Sequence, residues 1–122
     1  MLSYNMTDIE YWNSLVKPCK EVDVTAEKGD LVIEIGGIVY LLQRKNDMNN
    51  VVCFRHKKTK MSTLKSFYAY RQWLVSRCIQ YIRVEGNTKR YKFLTKLNPC
   101  SEYSVIQDTE EKDRNIFYLK LF

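Results

Sequence analysis

The sequence predicts an α+β fold with a mixed, mostly antiparallel sheet. Apolar residues recur at helical spacing in some segments and form short β-rich runs in others. Their order is helix, three strands, long helix, strand, helix and two strands. The helix between the third and fourth strands implies one parallel pair in an otherwise antiparallel sheet. Because 45% of the 122 residues are hydrophobic, the chain has enough apolar surface for a core, and we expect one domain over residues 1–122.

The first element is a short amphipathic helix. Thr7 and Glu10 have the spacing of a capping box, and the apolar positions between Ile9 and Val16 recur at helical intervals. Pro18 follows directly and predicts the end of this helix.

A meander of three strands follows a polar connection. The predicted strands cover residues 31–34, 38–43 and 51–55. Gly36 and Gly37 separate the first two strands, and a glycine pair is a strong hairpin signal because primed turns require positive φ. A second turn is predicted over residues 47–50.

A long central helix is predicted to begin after Ser62 or Thr63, either of which can act as its N-cap, and to end near Gln80. A helical wheel predicts a buried face composed of Leu64, Phe67, Tyr68, Leu74, Val75, Cys78 and Ile79. The opposite face carries Lys65, Ala69, Gln72, Ser76 and Gln80. Arg71 lies within the apolar face, where it either forms a structural ion pair with an acid on the sheet or binds an anion at a cleft.

The remaining elements alternate again between strand and helix. A strand is predicted over residues 81–85, followed by a short second helix over residues 88–97 that Asn98-Pro99 ends. Residues 103–107 and 116–122 complete the sheet as two strands that pair with each other.

Charge is distributed unevenly along the chain. The formal net charge is +6, but residues 44–96 carry 14 basic residues against only Asp47 and Glu85. This basic central region predicts an anionic ligand, a nucleic acid or an acidic protein surface as partner. The alternative is a solvated basic face with no specific partner.

The cysteine spacing and the N-terminal residues predict a cytoplasmic protein. The four cysteines form no CxxC pair and His56 is the only histidine, so no metal site is predicted. Cys53 and Cys78 lie within apolar patterns and are predicted to be core residues. No signal peptide is recognisable and no segment approaches the roughly 18 apolar residues that span a membrane.

The strand beginning at Tyr81 and the segment after it resemble a known unit. Asn87 is followed at offsets of three, six and seven by Arg90, Phe93 and Leu94. Together with the order of elements, the segment YIRVEGNTKRYKFLTKL resembles the strand–helix unit of GNAT acyl-CoA N-acyltransferases. The resemblance covers residues 31–122, and small proteins of this kind are familiar from tailed phages.

The resemblance implies a cofactor cleft where the third strand meets the long helix. The anion-binding residues implied there are Lys57, Lys58, Lys60, Ser62 and Thr63, with Asn87 across the cleft. An active enzyme would bind acetyl-CoA or another acyl-CoA and use a base, for which Glu34, Glu85 and His56 are candidates by residue type. The family's cofactor loop contains glycine, but residues 56–63 contain none, and Leu94 replaces the family's tyrosine acid.

These departures favour a catalytically degenerate GNAT-like domain that binds an anionic ligand or a protein partner. An active N-acyltransferase with an unusual loop is the first alternative. Nucleic-acid binding is another, since Phe54, Tyr91 and Phe93 are interleaved with basic residues. A virion or host-interaction role is the last, with Tyr70 and Trp73 as an exposed patch on the long helix.

Overall fold

The computed structural model describes residues 5–7, 9–19, 24–55, 61–87, 103–107 and 114–122. The described elements are β1 (Asn5–Thr7), α1 (Ile9–Val16), β2 (Leu31–Ile35), β3 (Ile38–Lys45), β4 (Met48–Arg55), α2 (Thr63–Ser76), β5 (Tyr81–Asn87), β6 (Tyr103–Gln107) and β7 (Arg114–Lys120). The second predicted helix, residues 88–97, lies outside the described residues.

The seven described strands form one mixed sheet in the order β1-β2-β3-β4-β5-β7-β6. Neighbouring strands are antiparallel except β4 and β5, which are parallel and are connected through α2. The α+β class, the 31–55 meander, the parallel pair and the final hairpin are therefore confirmed. β1 was not expected, because residues 5–7 precede the first helix without a strand pattern of their own.

The β2–β3 hairpin turns at the glycine pair, as predicted. Gly36 and Gly37 have φ of 62° and 89°, values that a primed turn requires and that glycine adopts without steric cost. Gly36 also lies close to the segment before α2, because a Cβ atom added there would be 2.5 Å from Cβ of Met61.

The β3–β4 hairpin turns earlier than predicted. The turn consists of Asn46 and Asp47, with φ of 53° and 60°, so β4 begins at Met48 rather than at residue 51. Asn and Asp are the non-glycine residues that best tolerate this conformation. The prediction of a turn over 47–50 was wrong because Asn49 and Asn50, which resemble turn residues, are paired with β3.

The two described helices pack on opposite faces of the sheet, and each face has its own apolar cluster. On the α1 face, Trp12 and Val16 pack against Val32, Val39 and Leu41. On the α2 face, a larger cluster contains residues of α2 and of five strands, which are β2, β3, β4, β5 and β7. Because side chains alternate along a strand, β2, β3 and β4 each contribute to both clusters.

The loop before β2 is hydrogen-bonded to helix α1 and to strand β3. Trp12 Nε1 donates to the Val24 carbonyl at 2.8 Å, and the Asn13 side chain exchanges two hydrogen bonds with the backbone of Ala26. From β3, buried Gln43 donates to Asp30 Oδ2 at 2.7 Å. Helix α1 itself has the bounds that its sequence pattern predicts.

Helix α2 begins as predicted and ends four residues early. Ser62 is the N-cap, and its hydroxyl accepts a hydrogen bond from the Lys65 amide. The helix ends at Ser76, because Cys78 adopts a left-handed conformation with φ of 61°. The amide of Ile79 then donates to the Leu74 carbonyl and that of Cys78 to the Val75 carbonyl, which is the pattern of a Schellman motif.

The buried face of α2 differs from the helical-wheel prediction. Leu64 and Tyr68 are each 46% exposed, and Cys78 is exposed because it lies beyond the helix end. The residues of α2 that are buried are Ser66, Phe67, Ala69, Tyr70, Trp73 and Leu74. The face is centred on Tyr70 because its ring stacks on Tyr40 of β3, with the ring centroids 4.0 Å apart.

Candidate functional site

The parallel ladder between β4 and β5 is short. The two parallel strands pair only at Asn50–Arg83 and Val51–Val84. Beyond these positions β4 stays paired with β3 as far as Arg55, and β5 stays paired with β7 as far as Asn87. Each strand thus keeps its outer neighbour beyond the two positions at which β4 and β5 pair. The region between the carboxyl ends of these two strands, beyond their ladder, is called the β4–β5 gap below.

The N-terminus of α2 lies next to the end of β4. Arg55, the last residue of β4, donates from Nη1 to the hydroxyl of Thr63 at 2.6 Å. The Ser62 hydroxyl caps the helix. Both hydroxyls named in the sequence prediction therefore have structural partners, while the helix N-terminus still directs amides and the positive end of its dipole towards this edge.

The other predicted anion-binding residues are only partly described. Lys57, Lys58 and Lys60 lie outside the described residues. Asn87 ends β5, where its backbone pairs with Arg114. Counting along both strands from Val51 and Val84 puts Asn87 level with Phe54, so it does lie on the far side of the gap from β4.

The candidate bases are not assembled at this gap. Glu34 is on β2, two strands away from β4, and its Oε1 accepts a hydrogen bond from the Tyr11 hydroxyl at 2.8 Å. Partial burial and the neighbouring carboxylate raise the pKa of Tyr11 to about 12. His56 lies outside the described residues, and Glu85 is described only by its strand position on β5.

The side chain of Arg71 forms a hydrogen bond within the fold. Its guanidinium is half-buried and donates from Nη2 to the carbonyl of Leu121 at 2.9 Å, which ties α2 to the residues after β7. The Gln80 side chain donates to the Phe122 carbonyl at 2.7 Å and reinforces the same attachment. Arg71 thus bonds a backbone carbonyl and helps to hold the end of the chain against α2.

A buried hydroxyl cluster lies under α2 and was not predicted from the sequence. Ser66 donates to the Ile35 carbonyl, so the hydrogen bond of 2.8 Å between Ser66 and Tyr40 must have the Tyr40 hydroxyl as its donor. The hydroxyl of Tyr70 is buried without a hydrogen-bond partner among the described residues. Burial raises the pKa of both Tyr40 and Tyr70 above the usual value. The sequence does not indicate that these residues are neighbours, because Ser66 lies inside a helix and the two tyrosines lie in separate apolar patterns.

One sequence-based interpretation is corrected here. Tyr70 is 0% exposed and Trp73 is 6% exposed, so they are core residues and not a partner patch. Trp73 also lies under Arg77, whose guanidinium is 4.9 Å from the ring centroid. Of the aromatics considered for nucleic-acid stacking, Phe54 is partly buried and packs against the α1 cluster, while Tyr91 and Phe93 lie outside the described residues.

The three described cysteines, Cys19, Cys53 and Cys78, form no disulfide bond. No group of metal-ligating side chains comes together among the described residues. Cys53 is half-buried against the α2 cluster, in agreement with a core position. Neither α1 nor α2 is long and apolar enough to cross a membrane.

Comparison with known proteins adds no assignment. No protein-family model matches the chain, and no curated protein matches it significantly.

Proposed function

We propose that this protein is a GNAT-like domain that binds an anionic ligand of the coenzyme A type in the gap between β4 and β5, without acyl transfer. The observation that supports this most is the short parallel ladder, which ends at Val51 and Val84 although both strands continue. A pantetheine-like arm requires such an opening between two parallel strands. The strand order, with the parallel pair in the middle, is what a GNAT-like layout calls for.

Electrostatics support an anion at the same edge. The N-terminus of the 14-residue helix α2 follows β4 after a segment that contains three of the chain's lysines, Lys57, Lys58 and Lys60. A helix N-terminus favours negative charge by about 0.3–1 kcal/mol at exposed sites, and neighbouring lysines add to this attraction. Arg55, exposed at the end of β4, adds another positive charge.

The residues found at the expected catalytic positions favour ligand binding without acyl transfer. Leu94 stands where the family's tyrosine acid is expected, and residues 56–63 contain no glycine that would let the backbone approach a pyrophosphate closely. Glu34 lies two strands from the gap and is bonded to Tyr11. Acyl-CoA-dependent N-acyltransfer remains the alternative function.

The test is a calorimetric titration of coenzyme A and acetyl-CoA into the full chain and two charge-reversal variants. The first variant combines Lys57→Glu, Lys58→Glu and Lys60→Glu. The matched control combines Lys17→Glu, Lys28→Glu and Arg44→Glu, none of which lies on β4, on β5 or at the N-terminus of α2. Both variants change the formal net charge of +6 by the same amount, so long-range attraction falls equally.

We expect saturable binding that weakens about tenfold or more in the first variant and about threefold or less in the control. An absence of binding at millimolar coenzyme A, or an equal loss in both variants, would contradict the proposal. Thiol release from acetyl-CoA in the presence of primary amines tests the alternative, and sustained release would establish the enzyme instead.

A further inference from the structure

A cleft of about 500 Å³ lies on the α2 face of the sheet, at the amino ends of β4 and β5. This volume is within the range of small-molecule sites. The β3–β4 turn forms one wall of the cleft, and the segment between α2 and β5 forms another. The cleft is separate from the β4–β5 gap, which lies at the carboxyl ends of the same two strands.

Hydrogen bonds hold the walls of this cleft to the rest of the fold. The Asn49 side chain donates to the Tyr81 carbonyl at 3.5 Å and so joins the β3–β4 hairpin to the start of β5. The Schellman hydrogen bonds fix the backbone that follows α2, and Gln80 donates from its side chain to the Phe122 carbonyl. Because the walls are ordered before a ligand binds, the entropy cost of binding is reduced.

Positive and negative side chains both line the cleft. Arg44 is opposite Asn49 in the β3–β4 ladder, and it lies on the α2 face two residues after Leu42. Arg77 is the C-cap of α2, and Asp47 lies in the β3–β4 turn. These three charged residues are exposed, so a ligand can reach them. The cleft thus offers two cations and one carboxylate.

The guanidinium of Arg77 is positioned by an aromatic ring. It lies over Trp73, with its central carbon 4.9 Å from the ring centroid. A guanidinium that is held over a ring can still donate from its N–H groups, which match the geometry of a carboxylate. The negative end of the α2 dipole lies at the same end of the helix, and it adds to the attraction of Asp47 for a positive group.

An apolar surface lies beside the charged groups in the same cleft. It consists of Leu31, Leu42, Met48 and Ile79, and Tyr81 also lines the cleft. Tyr81 is 52% exposed, so its aromatic ring is available for contact with a ligand. An exposed ring beside aliphatic side chains suits a ligand that has a large apolar group.

We propose that this cleft binds a zwitterionic α-amino acid with a large apolar side chain. The carboxylate of the ligand binds Arg44 and Arg77, its ammonium group binds Asp47, and its side chain packs against the apolar surface. A phosphorylated ligand suits the cleft less well, because the carboxylate of Asp47 repels a second anion. This site is independent of the function proposed for the β4–β5 gap.

The test titrates L-phenylalanine into the full chain and follows backbone amide shifts. Two analogues each lack one charge, since phenethylamine has no carboxylate and 3-phenylpropionate has no ammonium group. The variants are Arg44→Gln and Asp47→Asn, and the matched control is Lys45→Gln, which removes the neighbouring cation on the other face of the sheet. Asparagine tolerates the positive φ of position 47, so the turn is retained. Thermal unfolding of each variant monitors the fold.

We expect L-phenylalanine to bind saturably at millimolar concentrations, with amide shifts clustered at residues 44–49 and 77–81. Each analogue should bind at least about tenfold more weakly, because it leaves one set of charged groups without a partner. Arg44→Gln should weaken the binding of L-phenylalanine about tenfold, Asp47→Asn about fivefold, and Lys45→Gln less than about twofold.

Three results would overturn the proposal: no saturable binding of L-phenylalanine, equal binding of either analogue, or equal losses in Arg44→Gln and Lys45→Gln. The Lys57, Lys58 and Lys60 variant should bind L-phenylalanine normally. The charge-reversal control for that variant contains Arg44→Glu and should lose this binding. The contrast separates the amino-acid cleft from the β4–β5 gap, so either proposal can fail without the other.

Discussion

Two tyrosines with the same surroundings have opposite hydrogen-bonding states. Tyr40 and Tyr70 stack with an interplanar angle of 9°, and both are almost completely buried. The Tyr40 hydroxyl donates to Ser66, whereas the Tyr70 hydroxyl has no hydrogen-bond partner among the described residues. A buried hydroxyl costs free energy when it lacks a partner, so the two rings contribute similarly to packing and differently in polarity.

We therefore expect Tyr40→Phe and Tyr70→Phe to differ in sign. Tyr40→Phe should lower the free energy of unfolding by about 0.5–1.5 kcal/mol, because it removes a satisfied hydrogen bond. Tyr70→Phe should leave it unchanged or raise it by up to about 1 kcal/mol, because it removes an unsatisfied hydroxyl. Urea denaturation of both variants measures the difference. An equal loss in both would show that the Tyr70 hydroxyl has a partner outside the described residues.

At the scale of elements, the end of α2 depends on one residue in an unusual conformation. Cys78 has φ of 61° at the position after the C-cap Arg77, where glycine is the usual residue. A side chain with a Cβ atom costs roughly 1 kcal/mol in this conformation. The helix nevertheless ends here because the Schellman hydrogen bonds of Cys78 and Ile79 satisfy the last carbonyls.

Replacement of this cysteine by glycine is expected to stabilise the protein. Cys78 is exposed, so Cys78→Gly removes little packing and relieves the Cβ strain. The larger entropy of glycine in the unfolded chain offsets part of the relieved strain. After this offset, the free energy of unfolding should rise by about 0.5–1 kcal/mol. Thermal and urea unfolding measure it, with Cys78→Ala as the control that removes the thiol and keeps the Cβ atom. A stability gain of the same size in Cys78→Ala would contradict the conformational explanation.

At the scale of the whole molecule, the short β4–β5 ladder divides the sheet into two parts. The meander of β2, β3 and β4 is paired along its whole length and packs on both α1 and α2. Strands β5, β7 and β6 pair with one another, and their described backbone ladder with β4 has two paired positions. Side-chain hydrogen bonds from Asn49 to Tyr81 and from Arg83 to Asn50, contacts with α2 and the Arg71–Leu121 hydrogen bond add to this attachment.

Native-state hydrogen exchange should therefore resolve two opening events. Amides of β5 and β7, such as Ile82 and Leu119, should exchange through an opening of lower free energy than amides of β3, such as Leu41. The physical reason is that their strands can separate from β4 without breaking the meander. One common free energy for all core amides would show that the sheet opens as a single unit. Coenzyme A binding in the β4–β5 gap should reduce the difference.

The residues proposed for function were found from the sequence only where their chemistry is local. Ser62 was identified as an N-cap because capping depends on a few neighbouring residues, and it is one. Asn50 and Arg83, which form a hydrogen bond at the β4–β5 ladder, were not predicted to meet. They belong to different strands, and only the pairing of β4 with β5 brings them together.

The sequence alone determined the α+β class, helix α1, the glycine turn, the strand meander and the parallel crossover through α2. These features depend on periodicity, turn residues and the order of elements, all of which are local properties of the chain. The tertiary structure decided which face of α2 is buried, where β4 begins and where β4 and β5 part. Those outcomes depend on contacts between residues that are distant in the sequence, such as the stacking of Tyr70 on Tyr40. Local sequence patterns do not predict such contacts.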